Sequence, residues 1–355
     1  MEYCNLGRSG LEASRLGLGT IFFGSALDEK ASQRILDMFV DAGGNFVDTS
    51  NLYGGGMRGT NLKNAGTSER MVGKVVKGKR DKLVVATKGT WLMEDEVRPN
   101  AVGLSRTYLA TQIEASLKRL GTDYIDLYQC HSVDFYTPVE ETMRVFDDFV
   151  TAGKIRYVGV SNWDGWQVVK ANCYANSAHF VPFISNQIYY SIVDRIAENS
   201  IIPACRDQQV SIIVWGALAH GFLSGAQKRG DKAPVEGSRL SGSVMNDGES
   251  TSWKYLANEK NWAILDRLQS MVALTERTIP NLAMRWLLQC GNCEVVLMGG
   301  EKIEYYQAYL DMLKFRLTDD EMNELTRVSA PCPSYPTNFQ NLFCRREGEL
   351  YGGLR

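Results

Sequence analysis

Eight short apolar runs that alternate with helix-like stretches constrain the fold of this chain more than any other feature of its sequence. The runs are almost continuously apolar, which is typical of parallel strands covered on both faces. Strands that alternate with helices predict either a closed barrel or an open doubly wound sheet. The runs read RLGLGTIFF, NFVD, KLVVATK, YIDLYQCH, IRYVGVSN, FISNQIYY, SIIVWG and EVVLMGG.

The helices between these runs carry start and stop signals. In TPVEE we expect Thr137 as the cap, Pro138 at the first helical position and Glu140 as the third member of a capping box. Glycines after several helices suit a left-handed stop residue. The opening YCNLGRSGLEAS predicts a hairpin that turns at Arg8 to Gly10. The predicted helices are DEKASQRILDMFVDAGG, SERMVGKVV, SRTYLATQIEASLKRLG, TPVEETMRVFDDFVTAG, WDGWQVVKANCYAN, AENSIIPACRDQQ and TDDEMNELTRVS.

The glycine pattern decides between the two architectures. A doubly wound sheet binds a dinucleotide through G-x-G-x-x-G after its first strand, and GLGTIF lacks the third glycine. The sequence therefore favours a (β/α)8 TIM barrel, with its chemistry at the carboxyl ends of the strands. We expect a single domain over residues 1–355, with the barrel core at about 15–315 and a C-terminal helix and tail at 316–355.

Composition restricts the class of partner. The 39 basic and 41 acidic residues leave a net charge of −2, which offers no electrostatic footprint for nucleic acid or an anionic membrane. A small-molecule partner is therefore expected. The N-terminal segment lacks a secretory pattern and no run is long enough to span a bilayer, so we expect a cytoplasmic protein.

The eight cysteines fit reduced thiols better than a disulfide framework. Cys290 and Cys293 have a redox or metal spacing, but they lie between a helix and a strand, the reverse of the activating order. No second pair or histidine stands nearby in sequence. A structural role is favoured for this pair, and no metal site is expected.

Reactive side chains stand at the ends of three successive predicted strands. Asp48 and Tyr53 follow the second strand, Lys88 ends the third, and His131 ends the fourth. Any one of them alone is more often structural than catalytic. A barrel brings adjacent strand ends to one face, so their joint occurrence predicts a site.

The chain resembles the aldo-keto reductase family over nearly its whole length. The resemblance implies a (β/α)8 barrel, reversible carbonyl reduction with NADP(H) or NAD(H), and a catalytic tetrad of Asp48, Tyr53, Lys88 and His131. The segments that carry it are YCNLGRSGLEASRLGLGT, NFVDTSNLYG, TSERMVGKVV, LVVATK, SLKRLGTDYIDLYQCH, TPVEETMRVFDDFVTAGKIRYVGVSN and LTDDEMNEL.

Residue type suggests the role of each member of the tetrad. Hydride attack builds negative charge on the carbonyl oxygen, and the Tyr53 phenol can quench that charge with a proton. Because a free tyrosine has a pKa near 10, a neighbouring cation is needed, and Lys88 is expected to lower it. Asp48 would hold the Lys88 ammonium, and His131 would donate a hydrogen bond that orients the carbonyl.

The resemblance also implies a cofactor site. Ser161, Asn162 and Gln187 are expected to hold the nicotinamide carboxamide, and Trp215 is expected to lie under the ring. The full implied set is Gly19, Thr20, Asp48, Ser161, Asn162, Gln187, Trp215, Gly216, Leu218, Gly221, Gly299, Glu301, Lys302 and Tyr305.

Two departures from the family pattern concern the cofactor. Ser-Pro-Leu is usual after the aromatic platform, whereas this chain has Gly216 to Leu218, so backbone amides would have to replace the serine contact. At the adenine-ribose end, Glu301 would repel a 2′-phosphate, while Lys302 would attract one. The choice between NAD(H) and NADP(H) stays open. His220 is a further candidate for a phosphate or substrate contact, although a structural role is favoured.

The predicted pocket has apolar and polar parts. Phe22, Phe23 and Trp91 are candidate walls beside Tyr53 and His131, with an ordinary packing role equally open. Loops 54–67, 89–104 and 222–256 are expected to shape the pocket, the last of them as a lid. Donors in the first loop would suit a sugar, and an aryl carbonyl is the other substrate class considered; the donors are Arg58, Asn61, Lys63 and Asn64.

An alternative of another class is a cofactor-binding regulatory subunit that resembles the potassium-channel beta subunits, which share this fold. The complete set of four reactive residues favours the enzyme. An oligomer is possible under either interpretation.

Overall fold

A closed barrel of parallel strands forms the centre of the computed structural model, and an antiparallel hairpin precedes it. Both features confirm the sequence prediction. The structure describes residues 1–54, 62–94, 96–236, 238–241, 251–273, 275, 277–332 and 335–339. The hairpin comprises β1 (Tyr3–Asn5) and β2 (Glu12–Ser14). The barrel comprises β3 (Leu16–Gly19), β4 (Phe46–Asp48), β5 (Val84–Gly89), β6 (Ile125–Cys130), β7 (Ile155–Ser161), β8 (Ser185–Tyr189), β9 (Ser211–Trp215) and β10 (Val295–Met298).

Helices cover the outside of the barrel. Three of them occupy the long connection between β9 and β10, and the first begins at Thr251, so the predicted loop 222–256 ends in a helix. The helices are α1 (Glu29–Asp41), α2 (Thr67–Val75), α3 (Arg106–Leu120), α4 (Val139–Thr151), α5 (Gly165–Ala178), α6 (Ile201–Asp207), α7 (Thr251–Leu256), α8 (Glu259–Val272), α9 (Ile279–Gln289), α10 (Ile303–Asp311) and α11 (Asp319–Val328).

Local signals were read correctly at some helix ends and wrongly at others. Thr318 caps α11 in a capping box with Glu321, at the start of the helix predicted over TDDEMNELTRVS. The capping box expected at α4 is wrong, because Pro138 occupies the cap position and the Thr137 hydroxyl donates to Asp134 instead. The helix predicted over AENSIIPACRDQQ is divided into a 3₁₀ turn (Ile196–Asn199) and α6, since Pro203 has no N–H with which to continue a helix from the preceding turn.

The barrel interior is apolar at the amino-terminal end of the strands. Leu6 and Ala13 of the hairpin segment pack into this layer and close the end of the barrel. Its other buried members are Phe46, Val84, Ala86, Leu127, Ile184, Ile213 and Val295. A larger core lies elsewhere among the strands and the surrounding helices.

Inward-facing positions become polar toward the carboxyl end of the strands. Because alternate residues of a strand share a face, Asp48 follows Phe46 in β4, and Lys88 follows Ala86 in β5. Both charged side chains are thereby enclosed within the barrel. No helix among the described residues is long and apolar enough to cross a membrane.

Candidate active site

Three of the four predicted catalytic residues form one hydrogen-bonded group at the carboxyl end of the barrel. The Lys88 ammonium donates to Oδ2 of Asp48 at 2.5 Å, to the carbonyl oxygen of Thr49 at 2.9 Å and to the phenol oxygen of Tyr53 at 3.2 Å. Lys88 and Asp48 are 0% and 1% exposed. A buried ammonium is thus held between a carboxylate and a phenol.

Two amide side chains hold the other oxygen of Asp48. Gln187 donates to Oδ1 at 2.8 Å and Gln129 donates to it at 3.2 Å. Buried carboxylates are costly unless they are paired and hydrogen-bonded, and this one has both kinds of partner. Gln129 was missed in the sequence, although it stands two residues before His131 on the inward face of β6.

The pKa of the Tyr53 phenol is raised, because burial disfavours the phenolate more strongly than Lys88 stabilises it. Lys88 does act to lower this pKa, as expected from the sequence, but the effect of burial is larger. The pKa of Lys88 is also raised, since Asp48 and Tyr53 together outweigh the effect of its burial. At neutral pH the group contains an ammonium and a protonated phenol.

His131 lies beside this group. Its ring centre is 5.9 Å from that of Tyr53 and 6.2 Å from that of Trp91, with both contacts edge-on. Nδ1 is 3.0 Å from the hydroxyl oxygen of Ser50. Burial, together with the nearby Lys88 ammonium, holds the pKa of His131 well below its usual range. His131 is accordingly a neutral imidazole next to the phenol.

The residues expected around a nicotinamide form a connected polar network. Asn162, with a positive φ of 60°, donates to the carbonyl oxygen of His131 at 3.1 Å and to the hydroxyl of Ser161 at 3.0 Å. Its amide oxygen accepts from the Trp215 indole at 2.9 Å. Ser161 in turn donates to the carbonyl oxygen of Gln187 at 3.0 Å. Three strand ends are thereby linked to the tetrad.

The loop after β9 explains the departure at Gly216. Gly216 has a φ of 72°, and a Cβ there would stand 2.4 Å from the ring of Tyr189, so a serine would be strained and would clash. His220 also has a positive φ of 54°, and its ring stacks on Tyr189 with 5.4 Å between centres. Burial and then the charge of Arg239 lower the pKa of His220 to about 4. Leu218 is partly buried and packs against the core.

The positions expected at the adenine-ribose end lie after β10. A Cβ at Gly299 would make only an ordinary contact, with the carbonyl oxygen of Gly19 at 3.8 Å. Glu301, Lys302 and Tyr305 are exposed around the start of α10. Nothing in this arrangement selects one cofactor over the other.

Arg239 is a candidate that sequence reasoning missed. Its guanidinium carbon lies 5.2 Å from the ring centre of Phe22. Burial of the guanidinium lowers its pKa, while Glu301 and Tyr53 oppose that effect, so Arg239 interacts electrostatically with a proposed cofactor residue and with a proposed catalytic one. The residue as a whole keeps an exposed surface. The available signal was a lone basic residue in the glycine-rich stretch GSRLSG.

The candidate pocket walls differ in exposure. Trp91 is 41% exposed, whereas Phe23 is fully buried in the core, which favours the packing role for it. The hydroxyl of Thr20 donates to the carbonyl oxygen of Asp48, which ties Thr20 to the backbone of that residue. Lys63 and Asn64 lie exposed in a 3₁₀ segment (Leu62–Asn64). The other two predicted sugar-binding donors, Arg58 and Asn61, fall outside the described residues.

Cys290 and Cys293 lie away from this site. Both thiols donate to the carbonyl oxygen of Leu287, at 3.2 and 3.3 Å. Every cysteine in the described part of the chain is a free thiol, and no group of potential metal ligands is found among the described residues.

Comparison with known proteins identifies the family of this chain. Residues 15–330 match the profile of the aldo/keto reductase family. The chain is 34% identical to the uncharacterized oxidoreductase YrpG of Bacillus subtilis, over 92% of this chain and 96% of that protein. It is 30% identical to an aryl-alcohol dehydrogenase (NADP(+)) of Phanerodontia chrysosporium, over 89% and 82% of the two chains. It is 29% identical to a norsolorinic acid reductase of Aspergillus flavus, over 93% and 81%.

Proposed function

The chain belongs to the aldo/keto reductase family, whose members catalyse NAD(P)H-dependent carbonyl reduction, and from this premise we propose that Tyr53 is the proton donor to an aldehyde or ketone. One observation carries the proposal: the buried Lys88 ammonium bridges the Tyr53 phenol and the Asp48 carboxylate. The protein is an oxidoreductase with a small-molecule substrate.

Each of the four residues has its own role in transferring a proton to the substrate. Tyr53 is protonated at neutral pH because burial raises its pKa, so the proton needed by a developing alkoxide is already in place. As the proton leaves, the Lys88 ammonium stabilises the phenolate that forms, and Asp48 keeps that ammonium from moving away. Neutral His131 donates a hydrogen bond to the substrate oxygen rather than a proton.

The residues present fit a nicotinamide cofactor, which would supply the hydride. Trp215 has a partly exposed indole, and the oxygens of Ser161 and Asn162 keep spare acceptor capacity after their internal bonds, as a carboxamide requires. Arg239 offers a cation for the phosphates, and the missing side chain at Gly299 admits a close approach to its backbone. We propose this division of roles for NADP(H) or NAD(H).

An aryl carbonyl is the substrate class that the site supports best. The large exposed side chain of Trp91 stands edge-on to His131, where a planar ring would find an apolar surface beside the proposed proton donor. One relative is named for activity on aryl alcohols. The sugar alternative depends mostly on residues of loop 54–67.

Tyr53→Phe tests the proposal, because it removes the acidic hydroxyl and keeps the ring. We expect the rate of aryl aldehyde reduction to fall by about 10²–10⁴-fold, as loss of a general acid implies, with unchanged cofactor affinity measured by fluorescence quenching. Tyr128→Phe is the matched control. It removes another buried phenol hydroxyl, one that has no hydrogen-bond partner within the described residues. A Tyr53→Phe rate within a few fold of wild type would refute the assignment.

A further inference from the structure

A buried serine hydroxyl lies against His131. Ser50 follows the end of β4 and has no exposed surface. Its oxygen accepts a hydrogen bond from the backbone N–H of Leu52 at 3.2 Å and lies 3.0 Å from Nδ1 of His131. The distance establishes the second bond, and the direction of its proton follows from counting donors and acceptors.

A serine hydroxyl has one proton to donate and two lone pairs that accept. Leu52 already uses one lone pair of Ser50. If Nδ1 of His131 carried a proton, it would fill the second lone pair, and the hydroxyl proton would have no acceptor among the described residues. A buried donor without an acceptor is unfavourable. The hydroxyl therefore donates to Nδ1, which must be the unprotonated nitrogen of the ring.

The rest of His131 agrees with this assignment. Its backbone N–H donates to the carbonyl oxygen of Gly89 at 3.1 Å and to the hydroxyl of Thr90 at 3.0 Å, which fixes the backbone from which the ring extends. Nε2 has no hydrogen-bond partner in the described part of the chain, so it is the nitrogen left for a ligand. Because the ring is neutral, the tautomer decides whether Nε2 offers a proton or a lone pair.

We infer that Ser50 is a positioning residue that fixes His131 as the Nε2–H tautomer, so that the ring offers a donor to the substrate carbonyl oxygen. This inference rests on the proposed carbonyl reduction. With Nδ1 protonated instead, the ring would point a lone pair at that oxygen and would repel it. Loss of the Ser50 hydroxyl lets the neutral ring redistribute between the two forms.

Nitrogen-15 NMR spectra of the histidine rings report the tautomer directly and do not depend on catalytic activity. The chain has only three histidines, so labelling histidine alone gives few signals, and His131→Gln identifies those of His131. In the wild type we expect a pyrrole-type Nε2 and a pyridine-type Nδ1. In Ser50→Ala both signals should move toward the average of the two forms, while kcat falls about three- to tenfold and cofactor affinity is unchanged. Ser50→Thr restores a hydroxyl and should restore the wild-type signals.

Ser185→Ala is the matched control, because Ser185 is a buried barrel serine whose hydroxyl has no hydrogen-bond partner in the described structure. It should leave both the His131 signals and kcat unchanged. A pyrrole-type Nδ1 in the wild type, or Ser50→Ala spectra identical to wild type, would overturn the inference. A wild-type protein with the expected tautomer and no carbonyl reductase activity would instead overturn the proposed function.

Discussion

Replacing Lys88 with methionine should lower both the stability of the protein and its rate of carbonyl reduction, and the two losses can be measured separately. Methionine keeps much of the aliphatic length of lysine and removes the ammonium 2.5 Å from Asp48. Since both residues are at most 1% exposed, the remaining carboxylate is a buried charge without its counter-ion. Removing one partner of such a pair costs about 3–5 kcal/mol. We expect about 3 kcal/mol, the lower end of that range, because Gln129 and Gln187 still donate to Asp48.

The double variant Lys88→Met with Asp48→Asn tests this reasoning. It removes the unpaired charge, so most of the lost stability should return, measured as the urea midpoint at an unchanged denaturant slope. Carbonyl reduction should stay about 10²–10³-fold below wild type in single-turnover assays, because Tyr53 still lacks a cation to stabilise its phenolate. A double variant no more stable than Lys88→Met alone would refute the idea that an unpaired carboxylate causes the loss.

The remaining predictions concern the cofactor cleft. Arg239→Gln should weaken cofactor binding about ten- to a hundredfold, because a charged contact to phosphate is lost. Titrations at several salt concentrations should also show a smaller salt dependence of the affinity. Unchanged affinity at low salt would exclude the contact. Glu301→Arg should shift relative affinity about tenfold toward NADP(H), and Glu304→Arg, in the first turn of the following helix α10, should not; equal shifts would show that only net charge matters. The pKa of His220 is about 4 in the folded state and near 6.5 in the unfolded state. Its contribution to stability is therefore present above pH 6.5 and decreases as the pH falls toward 4. The free energy of unfolding should fall by up to about 2 kcal/mol between pH 7 and 5 for this reason. His220→Asn should reduce this loss in urea unfolding, whereas His179→Asn, at an exposed position that also has a positive φ, should leave it unchanged.

Much of the barrel could be predicted from local sequence. Continuous apolar runs fit strands that are covered on both faces, and the capping box at Thr318 acts within one helical turn. Asp48, Lys88 and His131 stand at the ends of successive strands. Their convergence at one face could be predicted from the barrel alone, because all its parallel strands have their carboxyl ends on that face. Each of these signals lies within a few residues of the feature it predicts.

Tertiary structure decided what depends on contacts between distant segments. Arg239 enters the cleft from a loop far along the chain, and Gln129 and Gln187 meet on one carboxylate from two different strands. Burial, which no motif displays, determines the sign of the Tyr53 pKa shift. The sequence alone therefore determined which reactive groups the protein brings to one end of its barrel. Their charges, proton positions and partners were decided by packing, because desolvation and hydrogen-bond direction depend on every neighbour that folding brings into contact.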